Sequence, residues 1–528
     1  RSSSSIGLIV GMGLVVIVLS ISRSLATYFF TVRSSQKLHD RMTWSVLRAK
    51  IEFFDTNPLG RILNRFSADV GSNDDLLPVT MSDFLVSFGI VMGAIATALI
   101  MLPFTLLAFL PLLRYFFYIR RIFLSTSREL KRIEGLTRSP VQDMLGESLT
   151  GIATIRSNFA TQFFRAKFES THNSNIRAFF GFISSVRWLG FKLDFCVFIF
   201  LTISCFLSVL FNDQGWFNIS PAILGLTLTV VLQLTSTFQW TIRQSADVVN
   251  QMVCVERVAG FCDIPSEADL YTDEDDKNPK WPDCGEVDTN ELIIRYRTSL
   301  PPALSGLSFQ IKGGQRVGVV GRTGCGKSTL VQALFRILEA EKGSIKIDGV
   351  DISSLGLNKL RTEMSVIPQY PVLFNNCSIY DNLDPFGKYD RATVKKALED
   401  VQMWEVIKEL PEGLDSIVAE GGSNFSVGQR QLICLARAIL RKNKILVLDE
   451  PTANVDGKTD RLLQNAVAKS FSGSTIIAVA HRLDTIIGYD IIIVLGEGKL
   501  LEIGPPRDLL SIKCGHFTAM VEDTGKES

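Results

Sequence analysis

The chain lacks any CxxC pair, and its nine cysteines are scattered. That excludes the usual cysteine zinc site and a disulfide framework, and a reducing compartment is the expected setting for most of the thiols. Net charge is nearly absent at +1, so no global pull draws the protein to nucleic acid, and no nucleic-acid partner is expected. The chain starts at Arg1 rather than Met, and no cleavable signal pattern precedes its first apolar run. It reads as a fragment of a longer protein. What is plentiful is hydrophobicity: 46% of the 528 residues are hydrophobic, yet 21% are charged. That pairing predicts two halves of different character.

Five apolar stretches precede residue 242, at Ile6–Val32 (interrupted by Arg23), Leu85–Leu102, Phe104–Phe117, Phe195–Phe211 and Ala222–Trp240. A spanning helix needs about 20 largely apolar residues. The first, second and fifth meet this comfortably, whereas Pro111 and Arg114 interrupt the third. The loops 33–83 and 114–194 are rich in Lys and Arg, while the connections "LPF" (102–104) and "NDQGWFNISP" (212–221) have neither. By the positive-inside tendency the long loops face the cytoplasm and the short ones face out. An all-α transmembrane bundle over 1–262 is expected, with a further helix upstream. The long loops carry apolar residues at helical spacing, broken at "NPLG" (57–60) and around "SP" (139–140); they read as cytoplasmic extensions of the bundle. Asn218-Ile219-Ser220 fits a glycosylation sequon, but its position beside the membrane and before Pro221 argues against use. Residues 263–285, acidic and Pro-containing with no apolar period, read as a linker.

The second half, 286–528, predicts an α/β nucleotide-binding domain. "QRVGVVGRTGCGKSTLVQALFRIL" (315–338) sets a strand-like run before GxxxxGK[ST] and an amphipathic run after it. Gly321, Gly324 and Gly326 let the backbone wrap closely and aim N–H groups at phosphate, and the next helix adds its positive end. Lys327 neutralises β/γ oxygens and the Ser328 hydroxyl is a Mg²⁺ ligand; Arg322, Thr323, Cys325 and Thr329 complete the ATP-binding stretch. "KILVLDEPTANVD" (444–456) is an apolar strand ending on two acids. Asp449 can hold hydrated Mg²⁺, and Glu450 can orient or deprotonate the attacking water. "STIIAVAHRL" (474–483) puts His481 at the end of another buried-type strand, beside the γ-phosphate if that strand runs parallel to the first.

These motifs, with "VIPQYPVLF" (366–374) and "NFSVGQRQL" (424–432) between them, occur in the order of an ABC transporter nucleotide-binding domain. "FFDTNPLGRILNRFSADVGSNDDLLP" (53–78) and "TRSPVQDML" (137–145) resemble the C subfamily, the multidrug-resistance-associated exporters. The whole chain is similar to the second transmembrane-plus-nucleotide-binding half of such a protein. The resemblance implies that Gln369 touches Mg²⁺ and senses the γ-phosphate, that Tyr296 stacks on adenine, that His481 is a switch histidine, and that Asp456 sits in the loop between two ATP sites. It also implies a partner, the first half of the same transporter. Two such domains close head to tail, so Ser426, Val427, Gly428 and Gln429 would act on the partner's ATP. Val427 stands where the family usually has glycine, which implies slow hydrolysis at the partner's site and a complete site on Lys327 and Glu450.

The cargo is less legible. Trp240 and Arg243 are three apart, on one helical face, and Arg187, with Trp188 and Lys192, opens the fourth stretch. Charges at membrane depth usually face a cavity or a partner, and the subfamily resemblance implies a Trp and an Arg as organic-anion ligands. The reading is ATP-driven export of amphipathic organic anions from a plasma or vacuolar membrane, with the nucleotide-binding domain cytoplasmic. An ATP-gated channel or channel-regulating subunit of the same subfamily is the alternative. A soluble DNA-acting ATPase would need a coiled-coil insertion and no spans.

Overall fold

The computed structural model describes residues 2–213, 220–451, 456–480, 483–512 and 515–525. Contacts divide the chain into two compact units, Arg1–Trp44 with Gly60–Asp263, and Ser45–Leu59 with Ile264–Ser528. The sequon residues Asn218 and Ile219 lie outside the described residues.

The first unit is built on five long helices: α1 (Ser2–Leu47), α2 (Leu77–Met101), α3 (Leu106–Thr150), α4 (Thr161–Asp213) and α5 (Pro221–Cys262). Each carries one of the five apolar stretches. A 46-residue helix such as α1 is about 70 Å long at 1.5 Å per residue, more than twice the bilayer core of about 30 Å. Most of the basic "loops" are therefore the same helices continued beyond the apolar segment. Among the described residues, three helical runs are long and apolar enough to cross a membrane: Ile6–Leu47, Leu59–Met101 and Thr161–Leu210. The helices bearing Phe104–Phe117 and Ala222–Trp240 are not among these three.

The expected break at Ser139-Pro140 does not occur. Helix α3 runs through both Pro111 and Pro140 and packs along α4. A proline removes one helical N–H bond, which a helix supported along its length tolerates. The chain breaks instead at Gly151, before a short helix Ile152–Ser157. At the other site the break is where the sequence places it: Asn57, preceding Pro58, is extended (φ −117°, ψ 110°), as a pre-proline residue favours. Helix α2 packs along α5. Near their ends the buried Asp69 accepts from Arg65 Nη1 and Arg257 Nη2, each at 2.7 Å, so a buried charge is doubly paired.

The second unit holds two sheets. Strands β1 (Val287–Ile294), β2 (Leu304–Ile311), β4 (Lys342–Ile347) and β5 (Val350–Asp351) form an antiparallel sheet in the order β2-β1-β4-β5. Strands β3 (Arg316–Gly321), β6 (Met364–Ile367), β7 (Ile445–Asp449), β8 (Thr475–Val479), β9 (Ile491–Gly496) and β10 (Lys499–Gly504) form the other, ordered β10-β9-β3-β8-β7-β6. All its pairings are parallel except β9 with β10. Strand β8 is buried throughout and β7 everywhere but its last residue, as continuous Val/Ile/Leu runs in a parallel sheet predict. Helices α6 (Lys327–Leu334), α7 (Val427–Arg441) and α8 (Gly457–Ser470) follow the segments that matter for the site.

The acidic segment 263–285 is more than a tether. Trp281 is buried in the core under the antiparallel sheet and its Nε1 donates to the Ile347 carbonyl at 2.9 Å. The Asp348 carboxylate accepts from the backbone of Cys284, Gly285 and Glu286. Arg361 clasps Glu267 with two bonds, 2.8 and 3.0 Å. Ser45–Leu59 joins the same unit through an antiparallel bridge between Ala49 and Ser266 and a bond from Glu267 N to the Arg48 carbonyl at 2.7 Å.

Candidate nucleotide site

Strand β3 delivers the chain into a loop that ends at helix α6. The loop needs backbone angles that side chains oppose: Gly324 has φ 82° and Gly326 φ 103°. A Cβ on Gly326 would also meet the Ala303 carbonyl oxygen at 2.9 Å. Arg322, Thr323, Gly324 and Ser328 are exposed, whereas Cys325, Lys327 and Thr329 are buried and Gly321 is half-buried. Lys327 Nζ donates to the carbonyls of Gly321 (2.8 Å) and Arg322 (3.3 Å) and makes no ion pair among the described residues. Its ammonium is folded over its own loop. A loop of this kind running into the N-terminus of a helix is the usual backbone setting for a bound phosphate.

Two strands away β7 ends on Asp449 and Glu450. Register places Asp449 opposite Val479 on β8, and Val479 opposite Val319 on β3, so the acids and the loop share the carboxyl end of one parallel run, β3-β8-β7. Such ends are where open α/β sheets bind ligands. Glu450 is buried and left-handed (φ 48°), a conformation that costs a non-glycine residue energy and clusters at functional sites. Its backbone N donates to the Val479 carbonyl at 3.1 Å. Gln369, just beyond β6, donates from Nε2 to Glu450 Oε2 at 3.0 Å.

Asp449 Oδ1 is buried and has no hydrogen-bond partner among the described residues. Burial and the neighbouring Glu450 push its carboxyl above the usual range, and the Lys327 ammonium pulls it back. Among the described residues no cluster of three or more His, Cys, Asp or Glu could hold a metal by protein ligands alone. One open, buried carboxylate oxygen within electrostatic reach of the phosphate-loop lysine fits Mg²⁺, which keeps waters and shares substrate phosphates rather than taking an all-protein cage. His481, which follows β8, lies outside the described residues.

Tyr296, on the loop after β1, packs against the core, and its hydroxyl lies 3.0 Å from Thr329 Oγ1 on α6. The ring is thus fixed to the phosphate-loop helix, and the residue is only partly buried.

Ser426 and Gln429 form a reciprocal cap on α7. Ser426 Oγ accepts from Gln429 N at 3.2 Å, and Gln429 Oε1 accepts from Ser426 N at 2.9 Å. Val427 is half-buried and Gly428 buried. No bond among the described residues joins these four to the Lys327 loop. Asp456 caps α8, accepting from the backbone of Lys458 and Thr459 at 3.2 Å and from the Thr459 hydroxyl at 2.8 Å. Those bonds, Thr459 foremost, hold its carboxyl below the usual range.

The sequence reading passed over two residues of α7. Gln431 is buried and its Nε2 donates to the Pro368 carbonyl at 2.9 Å. Arg437 donates to Asn382 O (2.6 Å) and Val372 O (2.7 Å). Together they tie α7 to the segment that carries Gln369. A glutamine on the buried face of an amphipathic helix was the available signal, since a buried amide requires a partner.

In the first unit, Gly190 on α4 lies directly against Gln239 on α5, and Leu189, Leu193 and Ile242 share a buried cluster. Arg187, Trp240 and Arg243 leave this crossing at exposed positions, and no bond among the described residues links them.

The profile described as "ABC transporter" matches residues 304–453, and that described as "ABC transporter transmembrane region" matches residues 2–236. The chain is 43% identical over 521 residues to "ATP-binding cassette sub-family C member 4" of Homo sapiens, covering 99% of this chain and 39% of that protein. It is 40% identical to "ABC transporter C family member 3" of Dictyostelium discoideum over 99% of this chain and 37% of the relative. "ATP-binding cassette sub-family C member 2" of Rattus norvegicus is 40% identical over 94% of this chain and 32% of its own length. The chain thus spans less than two-fifths of the curated relatives it matches. With a helical transmembrane region, an ATP-binding α/β domain and C-subfamily relatives along nearly all its length, the chain belongs to the ABC transporter family, in its C subfamily.

Proposed function

We propose that this chain is one half of an ATP-driven exporter of amphipathic organic anions or conjugates, and that it holds the hydrolysis-competent ATP site. One observation carries the reading: Lys327, Gln369, Asp449 and Glu450 follow strands of one parallel run, β3-β8-β7-β6, at its carboxyl end, with Gln369 bonded to Glu450 at 3.0 Å. Lys327 and the loop amides bind the β- and γ-phosphates, and Tyr296 stacks on the adenine. Ser328, Gln369 and Asp449 would hold Mg²⁺, which when bound neutralises charge on the β/γ oxygens. Glu450 orients the attacking water and accepts its proton, steered by Gln369. His481 would contact the γ-phosphate as a switch.

The cap at Ser426–Gln429 uses the side chains of Ser and Gln internally, so the groups left for a ligand are the first amides of α7. Those amides, beside Gly428, serve the nucleotide of a partner domain in the other half of the transporter, with Asp456 in the loop between the two sites. Arg187, Trp240 and Arg243 bind the anionic cargo within a plasma or vacuolar membrane, the ATP-binding domain lying in the cytoplasm. The test is ATP-dependent uptake of a glutathione conjugate into inside-out vesicles bearing the full-length protein, with phosphate release measured in parallel. Conjugate-stimulated hydrolysis coupled to uptake is expected; an ATP-dependent ionic current without uptake would overturn the reading.

A further inference from the structure

Helix α6 starts at the phosphate-loop lysine and is 8 residues long, about 12 Å at 1.5 Å per residue. Whatever holds its far end therefore sets the pose of the loop at its near end. There the chain turns out of the helix at Phe335 and the left-handed Arg336 (φ 48°). Both carbonyls accept from one side chain: Arg361 donates from Nε to Phe335 O at 3.1 Å and from Nη2 to Arg336 O at 3.0 Å. A cation is favoured at a helix C-terminus.

The same guanidinium grips the Glu267 carboxylate, Nη1 to Oε2 at 2.8 Å and Nη2 to Oε1 at 3.0 Å. One planar fork thus joins α6 to the acidic segment, 94 positions from Arg361 in the chain. Glu267 is in turn bound to the stretch 45–59, which leaves the first unit after Trp44 and rejoins it at Gly60. Its N donates to the Arg48 carbonyl at 2.7 Å, and Arg48 Nη2 returns a bond to the Glu267 carbonyl at 3.2 Å and another to that of Ala268. Lys50 N donates to the Pro265 carbonyl at 3.4 Å.

The pair is partly buried, Arg361 32% and Glu267 17% exposed, so salt screens it less than a surface pair. Ile51 packs on the same core as Phe335, but apolar contact is non-directional. A guanidinium fork bonded on both sides fixes orientation. Arg361 also sits on the short helix Leu357–Glu363, which runs into β6 and so toward Gln369. We propose that Arg361 is a positioning residue for the phosphate loop. It carries a displacement of segment 45–59, through Glu267, to the far end of α6, and carries the effect of nucleotide binding back the same way, since such coupling is reciprocal. The inference rests on the Lys327 loop being the ATP site and is independent of the cargo.

Hydrogen exchange of the full-length protein in nanodiscs reads the link, in peptides covering 45–59 and 264–268, with and without Mg²⁺ and a non-hydrolysable ATP analogue. In wild type the analogue should slow exchange there about fivefold or more, the lower end of common site-to-site coupling. Arg361→Gln and Glu267→Gln should each lose that response while still binding the analogue in equilibrium titrations. Arg361→Lys should recover little of it, since one ammonium does not reproduce a planar fork. Glu267→Arg with Arg361→Glu rebuilds the ion pair but leaves the α6 carbonyls without that donor; a full response in this double variant would overturn the route through α6. Conjugate-stimulated phosphate release should fall to the basal rate in Arg361→Gln. A wild type that shows the exchange response without conjugate stimulation would support the link and count against conjugates as cargo. Failure of wild type to bind the analogue would remove the ATP site and the proposal with it. A merely structural clasp would lower the melting temperature of both Gln variants and leave the exchange response intact. That result, or no response in a wild type that binds the analogue, would overturn the proposal.

Discussion

Replacing Glu450 with Gln isolates proton transfer from everything else at the site. The amide keeps the size of the side chain and can still present an oxygen to Gln369 Nε2, so the 3.0 Å bond survives. The backbone bond from residue 450 to the Val479 carbonyl, 3.1 Å, is untouched. The substitution also removes the charge that pushes the Asp449 carboxyl up, which favours the ionised form that a cation needs. ATP binding should therefore be unchanged or slightly tighter. Hydrolysis loses its general base, commonly a factor of about 10²–10⁴, or about 3–5 kcal/mol at 1.36 kcal/mol per decade. The assay is steady-state phosphate release by the full-length protein, with labelled nucleotide retained after gel filtration measured alongside. Release should fall below about 1% of wild type, and nucleotide should stay trapped. Hydrolysis within threefold of wild type, with ATP bound normally, would refute the assignment of Glu450 as base.

Gly428→Asp places a carboxylate beside the first amides of α7, against the γ-phosphate expected there; nucleotide trapping should be lost although the Lys327 loop is intact, and trapping equal to that of Glu450→Gln would contradict a role in a second site. Asp449→Asn removes a buried carboxylate whose ionised form the fold disfavours, so thermal melts without nucleotide should show equal or greater stability while Mg²⁺-dependent ATP binding falls sharply. Tyr296→Ala should weaken ATP binding several-fold, an aromatic contact being worth about 0.5–1.5 kcal/mol beyond area. Tyr296→Phe, which loses only the bond to Thr329, should bind nearly as wild type in equilibrium titrations. Arg243→Ala should weaken transport of anionic cargo roughly tenfold or more, since a bond to a charged group contributes about 1.5–3 kcal/mol; equal losses for neutral and anionic cargo would remove Arg243 from the pocket.

The sequence by itself determined what depends on local pattern. The phosphate loop was legible because its glycines, Lys327 and Ser328 are contiguous and are flanked by a strand and a helix. Asp449 and Glu450 were legible because a short apolar run rich in Ile, Leu and Val that ends in two acids reads as a buried strand with its charges at the rim, and the strand is there. The break at Pro58 followed from what a proline does to the residue before it. Tertiary structure decided the rest. Helix α3 passes Pro140 because α4 packs along it, a support no window of residues reports. Trp281 seats the acidic segment on the antiparallel sheet because the Ile347 carbonyl, 66 positions later, accepts its N–H. The contact of Gln369 with Glu450 exists because β6 and β7 are neighbours in register, although 81 residues separate the two side chains.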